Sequence, residues 1–166
     1  MAQKKPCSEH ILLVLSPMAI GLHLDSRKGR IMEVTAAHLG DWKYEVEARG
    51  HRLICDQPRE NGGSDAGMSP PEFLLASLAT CAAYYATQYL KTRSLPLENL
   101  KVRVTAEKAL QPARLASFQI EVSAPGLDER HETGVLRAVK SCLIHNTLLG
   151  NPAIEIAVNT AALALV

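Results

Sequence analysis

Apolar and polar residues alternate along six stretches of this chain, and each alternating stretch predicts a β-strand because side chains of a strand point to opposite faces in turn. The pattern is clearest in 42–48, where Trp42, Tyr44 and Val46 alternate with charged residues. The predicted strands cover 31–36, 42–48, 52–55, 100–109, 115–122 and 153–158. Segment 56–69 is rich in Pro, Gly, Asn and Asp and is predicted as a loop.

Two further stretches carry apolar residues at helical spacing. Ser69, Pro70 and Glu72 form a helix start, in which serine caps, proline takes the first turn and glutamate completes a capping box. This helix should run to about residue 93, with many alanines that allow close packing. A second helix is predicted over 128–149, with Gly150 as its stop. The order β3-α-β2-α-β is an α+β pattern in a single domain.

The first thirty residues do not follow this pattern. Lys4 and Lys5 precede an apolar stretch over 11–24, as in a secretory signal, but Pro17 and His23 interrupt it and no small-residue cleavage site follows. At about 14 residues it is also too short to span a bilayer. We therefore expect a non-secretory extension over 1–30, either a surface appendage or a segment upstream of a natural start at Met32, and a domain over 31–160.

Net charge and cysteine spacing exclude several classes of partner and site. The 166 residues include 18 Lys plus Arg and 17 Asp plus Glu, a formal net charge of +1, so we expect neither nucleic acid nor a membrane as partner. The four cysteines are far apart and form no CxxC pair, which excludes a zinc ribbon and a dense disulfide framework. Free thiols are typical of a reducing compartment, so the predicted location is the cytoplasm.

Candidate chemistry rests on two cysteines. Cys81 follows Leu78 by three residues on the apolar side of the first helix, where it is either a reactive thiol or a small core residue. Cys142, His145 and Asn146 share one face of the predicted second helix, and an imidazole there can promote a thiolate. A metal held by Cys81, Cys142 and His145 is the weaker interpretation, so we expect no metal. Glycine-rich nucleotide motifs are absent from the sequence, and we expect no cofactor.

These residues resemble a known family. Residues 69–81 read SPPEFLLASLATC after the pair Gly62 and Gly63, and residues 142–148 read CLIHNTL. Together they are similar to the OsmC/Ohr family over about 31–159. The resemblance implies an intertwined homodimer with central helices between two sheets. It also implies a cysteine-based peroxidase that reduces organic hydroperoxides in the oxidative stress response, with Cys81 as the attacking thiolate and Cys142 as the resolving thiol.

The chain departs from the family pattern at two charged positions. The glutamate ten residues before the attacking cysteine is replaced by Pro71, with Glu72 one residue away, and the arginine of the first hairpin is absent, leaving Lys43. This places the chain in a less characterised OsmC-like branch. Possible supporting residues are His145, Asn146, Glu72, Arg49 and Arg52, and Arg59 or a partner subunit is a further source of positive charge.

Three hypotheses follow. The first is a thiol-dependent peroxidase whose partners are a small organic hydroperoxide and a dithiol reductant. The second is a non-enzymatic OsmC-like binding module in which the cysteines line a site for a small apolar ligand. The third is a purely structural domain with neither ligand nor turnover.

Overall fold

The computed structural model describes residues 31–160, so the predicted extension over 1–30, with Cys7, lies outside the described residues. The helices and strands confirm the α+β class. Their order is β1 Thr35–Gly40, β2 Lys43–Ala48, β3 His51–Cys55, α1 Pro70–Lys91, β4 Lys101–Leu110, β5 Ala113–Ser123, α2 Glu132–Lys140 and α3 Leu143–Leu149. Short 3-10 turns lie at Arg59–Asn61 and Glu129–His131. Within the described segment, no helix is long and apolar enough to cross a membrane.

The first three strands form one antiparallel sheet in the order β1-β2-β3. The first strand was predicted over 31–36, with a turn beginning at His38, and this boundary is wrong. The tight turn lies at Asp41 and Trp42, with φ values of 116° at Gly40 and 48° at Asp41. Pairing therefore runs outward from Gly40 opposite Lys43 to Thr35 opposite Glu47, and it stops there because β2 ends at Ala48.

The second sheet is the β4–β5 hairpin, and α1 and α2 pack against it. The buried cluster comes from the two helices, and half-buried strand residues such as Val102 and Ile120 contact it. Its members are Ala82, Ala86, Leu90, Val135 and Val139. Alanine at two of the three α1 positions brings the helices close together, which is the packing that a chain poor in aromatics predicts.

The start of α1 is as predicted. The backbone N–H and the hydroxyl of Ser69 both donate to the Glu72 carboxylate, each at 2.7 Å. Pro70 occupies the first helical position, where it removes a backbone N–H that has no partner within the helix. The capping box therefore sets where α1 begins and with it the phase of every side chain along the helix.

The predicted continuous helix over 128–149 is wrong, because it is divided in two. Cys142 has an extended backbone, with φ −59° and ψ 130°, and it separates α2 from α3. The Ser141 hydroxyl donates to the Arg137 carbonyl at 3.2 Å, a local bond that competes with continuation of the helix. Cys142 therefore does not share a helix face with His145 and Asn146. It is the N-cap residue of α3.

The predicted last strand over 153–158 is also not formed, since residues 151–160 belong to no helix or strand. Ile154, Ile156 and Val158 are 84%, 87% and 89% exposed. A strand exists only through hydrogen bonds to a neighbouring strand, and the described segment pairs none with these residues. Alternation alone indicates an extended conformation and does not provide the neighbour.

We predict that the chain forms a homodimer in solution. Leu39 and Leu53 of the first sheet and Trp42 in its first turn are more than half exposed, as are Ile154, Ile156 and Val158, and a second copy would cover such surface. Light scattering is expected to give about 36 kDa, twice the 18.0 kDa of one chain. Ile156→Asp should shift the mass toward one chain. A wild-type mass near 18 kDa at micromolar concentration would contradict the prediction.

Candidate active site

A buried carboxylate organises the loop that leads into α1. Asp56 is 1% exposed and accepts four hydrogen bonds, from the Ser64 hydroxyl at 2.7 Å and from the backbone N–H groups of Gln57, Ser64 and Ala66 at 2.8, 3.1 and 3.0 Å. The Ser64 hydroxyl, followed by the Ala66 N–H, lowers the pKa of Asp56 to about 2. The loop is thereby closed on itself immediately before the capping box.

Two glycines allow this closure. A Cβ atom at Gly63 would meet the Gln57 carbonyl, and one at Gly67 would meet the Ile54 carbonyl. Neither position has room for a side chain, so both glycines are required by close backbone approach. The sequence contained the Gly62 and Gly63 pair as part of the family resemblance, but its spacing gave no sign that Asp56 receives the loop N–H groups.

The Asp56 network predicts acid-dependent stability. Because the folded pKa of about 2 lies below the ordinary value of 3.8, the stabilisation is complete above the ordinary value and is lost as pH falls through 2. Asp56→Asn should lower the melting temperature at pH 7 by several degrees and flatten the loss of stability between pH 4 and pH 2. Thermal unfolding across this range measures both effects.

Asp65→Asn is the matched control, because Asp65 lies exposed in the same loop with φ 59°, a conformation that asparagine tolerates. Asp65→Asn should leave the loss of stability between pH 4 and pH 2 unchanged. Equal effects of the two substitutions would contradict the role assigned to Asp56.

The two candidate cysteines lie together. Cys81 is half-buried on α1, Cys142 is fully buried at the start of α3, and Cys81 is close enough to influence the ionisation of the Cys142 thiol. The break before α3 makes this possible, because the extended backbone at Cys142 directs its side chain inward where α3 contacts α1.

The thiol pair is asymmetric. Burial, followed by the Cys81 thiol, raises the pKa of Cys142, while the N–H groups of His145 and Ile144 oppose this shift. The Cys142 thiol therefore stays protonated at neutral pH.

Of the candidate supporting residues, His145 lies near the thiols, whereas Glu72 and Arg52 are held by other partners. His145 is close to the thiols, but its backbone N–H is the group that acts on Cys142, while its ring Nδ1 lies 3.2 Å from Asn146 Oδ1. Glu72 is engaged by Ser69. Arg52 pairs with Glu47 at 3.0 Å and Glu45 at 3.6 Å in the first sheet.

Within the described segment, neither Arg49 nor Arg52 has a contact with the Cys81 or Cys142 thiol. Arg49 lies exposed in the turn between β2 and β3, and no hydrogen bond or ion pair within the described segment joins it to Cys81. Lys43, the first residue of β2, is half-buried. The groups that act on the Cys142 thiol are thus Cys81 and the backbone N–H groups of His145 and Ile144.

The third described cysteine differs from this pair. Cys55 is buried at the end of β3, where burial, followed by the neighbouring Asp56 carboxylate, raises its pKa. Both effects keep this thiol protonated and unreactive. In the described part of the chain, no group of three His, Cys, Asp or Glu side chains is placed to hold a metal ion.

An apolar groove of about 1360 Å³ runs between β5 and the helices. Its wall includes Leu78, one helical turn from Cys81, and His145, three residues after Cys142. Most other lining residues are apolar, among them Phe118 and Val139, and Arg114 and Lys140 also line it. A cavity of this kind accepts a largely apolar small molecule with one polar end.

Comparison with known proteins places the chain in a family. A family model described as OsmC-like protein matches residues 62–157, more than half of the chain, so this chain belongs to the OsmC-like protein family. The match includes α1, both thiols and the loop after Gly62. A comparison with curated protein sequences found no match.

Solved structures agree with this fold. An OsmC-like protein from Mycoplasma pneumoniae is 21% identical, with a TM-score of 0.63 over 74% of this chain and 90% of its own. An organic hydroperoxide resistance protein OsmC from Legionella pneumophila is 20% identical, with 0.54 over 74% and 91%. One from Elizabethkingia anophelis is 18% identical, with 0.54 over 75% and 92%. These likenesses show a shared fold, and two of the three structures are of proteins named as organic hydroperoxide resistance proteins.

Proposed function

We propose that this protein is a thiol-dependent peroxidase that reduces organic hydroperoxides, with Cys81 as the attacking residue and Cys142 as the resolving residue. The observation that carries the proposal is the proximity of the two thiols, one half-buried and one fully buried, with Cys81 contributing to the raised pKa of Cys142. The names of two solved relatives as organic hydroperoxide resistance proteins support the substrate class.

The reaction balances in two steps. The Cys81 thiolate attacks the outer oxygen of the hydroperoxide, the O–O bond breaks, and the alkoxide leaves and takes a proton to become an alcohol, with Cys81 oxidised to a sulfenic acid. Cys142 then forms an S–S bond with the Cys81 sulfur, and the hydroxyl leaves as water with the Cys142 proton. A dithiol reductant returns two electrons and two protons and is itself oxidised to a disulfide.

The asymmetry of the pair assigns these roles. Cys142 keeps its proton because it is buried, so it is a poor first nucleophile. Cys81 is partly accessible, so a hydroperoxide can reach its sulfur. Once Cys81 is oxidised, Cys142 is the neighbouring thiol that closes the disulfide.

The apolar groove and the predicted dimer complete the proposal. Leu78 and His145 connect the groove wall to the helical turns that carry the thiols, so the organic part of a hydroperoxide would lie among apolar side chains. The positive charge that a thiolate requires would come from the second copy of a homodimer. A reducing cytoplasm would supply the dithiol.

The alternative is a non-enzymatic module that binds a small apolar ligand. The observation that favours it is the same groove, together with the ion pairs that engage Arg52 away from the thiols. In this case the cysteines line a binding site, and peroxide treatment would oxidise accessible thiols without preference.

One experiment separates the two functions. The reduced protein is treated with one molar equivalent of cumene hydroperoxide, the remaining thiols are alkylated, and peptides are mapped by mass spectrometry. We expect one joined pair, Cys81 with Cys142, and alkylated Cys55. Disulfides joining other cysteines as often as Cys81 and Cys142 would contradict the peroxidase and favour the binding module. Oxidation of the folded protein no faster than that of the denatured protein would do the same.

A further inference from the structure

A second groove, of about 590 Å³, lies between the C-terminal part of α1 and one side of α2, and it is rich in arginine. It shares only Thr133 with the apolar groove, and neither candidate cysteine lines it. Its lining residues are Tyr89, Arg93, Arg130, Thr133, Gly134, Arg137, Ala138 and Ser141. This arginine-rich groove is therefore a candidate binding site separate from the two thiols.

Tyr89 is held in this groove by contacts from three sides. The Arg93 guanidinium lies 3.9 Å from the centre of the Tyr89 ring, and the Tyr89 hydroxyl is 3.1 Å from His131 Nδ1. A Cβ atom at Gly134 would collide with the Tyr89 hydroxyl, so glycine is needed for α2 to approach. A preorganised wall of this kind lowers the cost of ordering groups around a ligand.

The charge of the groove is unbalanced. Three guanidinium groups line it and no carboxylate does, whereas the whole chain has 18 basic and 17 acidic residues. Arg130 is neutralised by Asp128 at 3.2 Å. Arg93 donates only to neutral oxygens, of Tyr89 and Thr92, and no ion pair in the described segment engages Arg137. Two positive charges thus remain without an acidic partner in the described structure.

We propose that this groove binds the phosphate group of a small phosphorylated molecule. The planar guanidinium fork matches a phosphate through paired N–H donors, and Thr133 and Ser141 add hydroxyl groups to the lining. The volume exceeds what inorganic phosphate alone would fill, so an organic remainder has room beside the phosphate. A phosphate monoester meets both conditions.

The test is calorimetric titration of the full-length protein at constant ionic strength, with glucose 6-phosphate, inorganic phosphate and citrate as separate probes. We expect saturable binding of the monoester, weaker binding of inorganic phosphate, and weakest binding of citrate. Equal or tighter binding of citrate would assign the groove to carboxylates and overturn the proposal, as would the absence of saturation with both phosphates.

Matched variants locate the site. Arg137→Gln and Arg93→Gln should each weaken monoester binding by about tenfold or more, since each removes charge-assisted hydrogen bonds. Lys140→Gln removes the same charge from the same helix but faces the apolar groove, and it should change binding less than about twofold. Equal losses in all three variants would indicate nonspecific attraction and overturn the proposal.

Amide resonances give a readout independent of affinity. The Gly134 and Ser141 N–H signals should shift on addition of glucose 6-phosphate, because both residues line the groove. Shifts confined to residues outside this groove would overturn the assignment.

Discussion

Cys81→Ser is expected to reduce hydroperoxide consumption to the rate measured without protein. A serine hydroxyl is not ionised at neutral pH and is a far weaker nucleophile than a thiolate, so the first step is lost. The hydroxyl also fits where the thiol was, because Cys81 is only half-buried. The measurement is the rate of cumene hydroperoxide loss in the presence of a dithiol, with the melting temperature as a control for folding.

Cys142→Ser should behave differently. Its Cys81 can still attack once, so a burst of one hydroperoxide per chain is expected, followed by turnover that is slow because no resolving thiol is present. Cys55→Ser is the matched control, since Cys55 is also buried and its pKa is also raised by burial, and it should retain full activity. Full turnover in Cys81→Ser, or complete loss in Cys55→Ser, would contradict the assigned roles.

Leu78→Ala is expected to destabilise the fold by about 2 to 5 kcal/mol. Leu78 is 1% exposed on α1, one turn before Cys81, and truncation removes buried surface while leaving a cavity. Denaturant unfolding at fixed protein concentration measures the change.

Leu110→Ala makes the same chemical change at the end of β4, where Leu110 is 87% exposed, and it should alter the unfolding free energy by less than about 0.5 kcal/mol. Losses of similar size in the two variants would mean that the buried face of α1 is assigned incorrectly.

Local patterns predicted the elements that depend on near neighbours. Ser69, Pro70 and Glu72 predicted the start of α1, and the structure has the expected capping bonds. Alternation predicted strands β2 to β5 of the two antiparallel sheets, because the pattern of each strand lies within one short stretch of sequence. The roles of Cys81 and Cys142 were implied by the family resemblance, and they stay a prediction.

Features that depend on distant contacts could not be predicted. The apolar spacing in 128–149 is the same for one helix as for two, so it gave no sign of the extended backbone at Cys142 that divides them. Asp56 and Gly134 were missed because their importance comes from groups eight or more residues away, the Ser64 loop and the Tyr89 ring. The predicted strand over 153–158 has no partner strand in the described segment. The pattern within one segment cannot specify which other segment pairs with it.

The exposed segment after Asn151 makes this protein sensitive to its own concentration. Ile154, Ile156 and Val158 present branched apolar side chains to water in a segment with only one charged residue, Glu155. Segments of this composition pair readily with other chains, either in an ordered neighbour or in an aggregate. If ordered pairing dominates, the melting temperature rises with protein concentration. Dilution, or slow assembly after synthesis, would instead leave this segment open to proteolysis and to irreversible association.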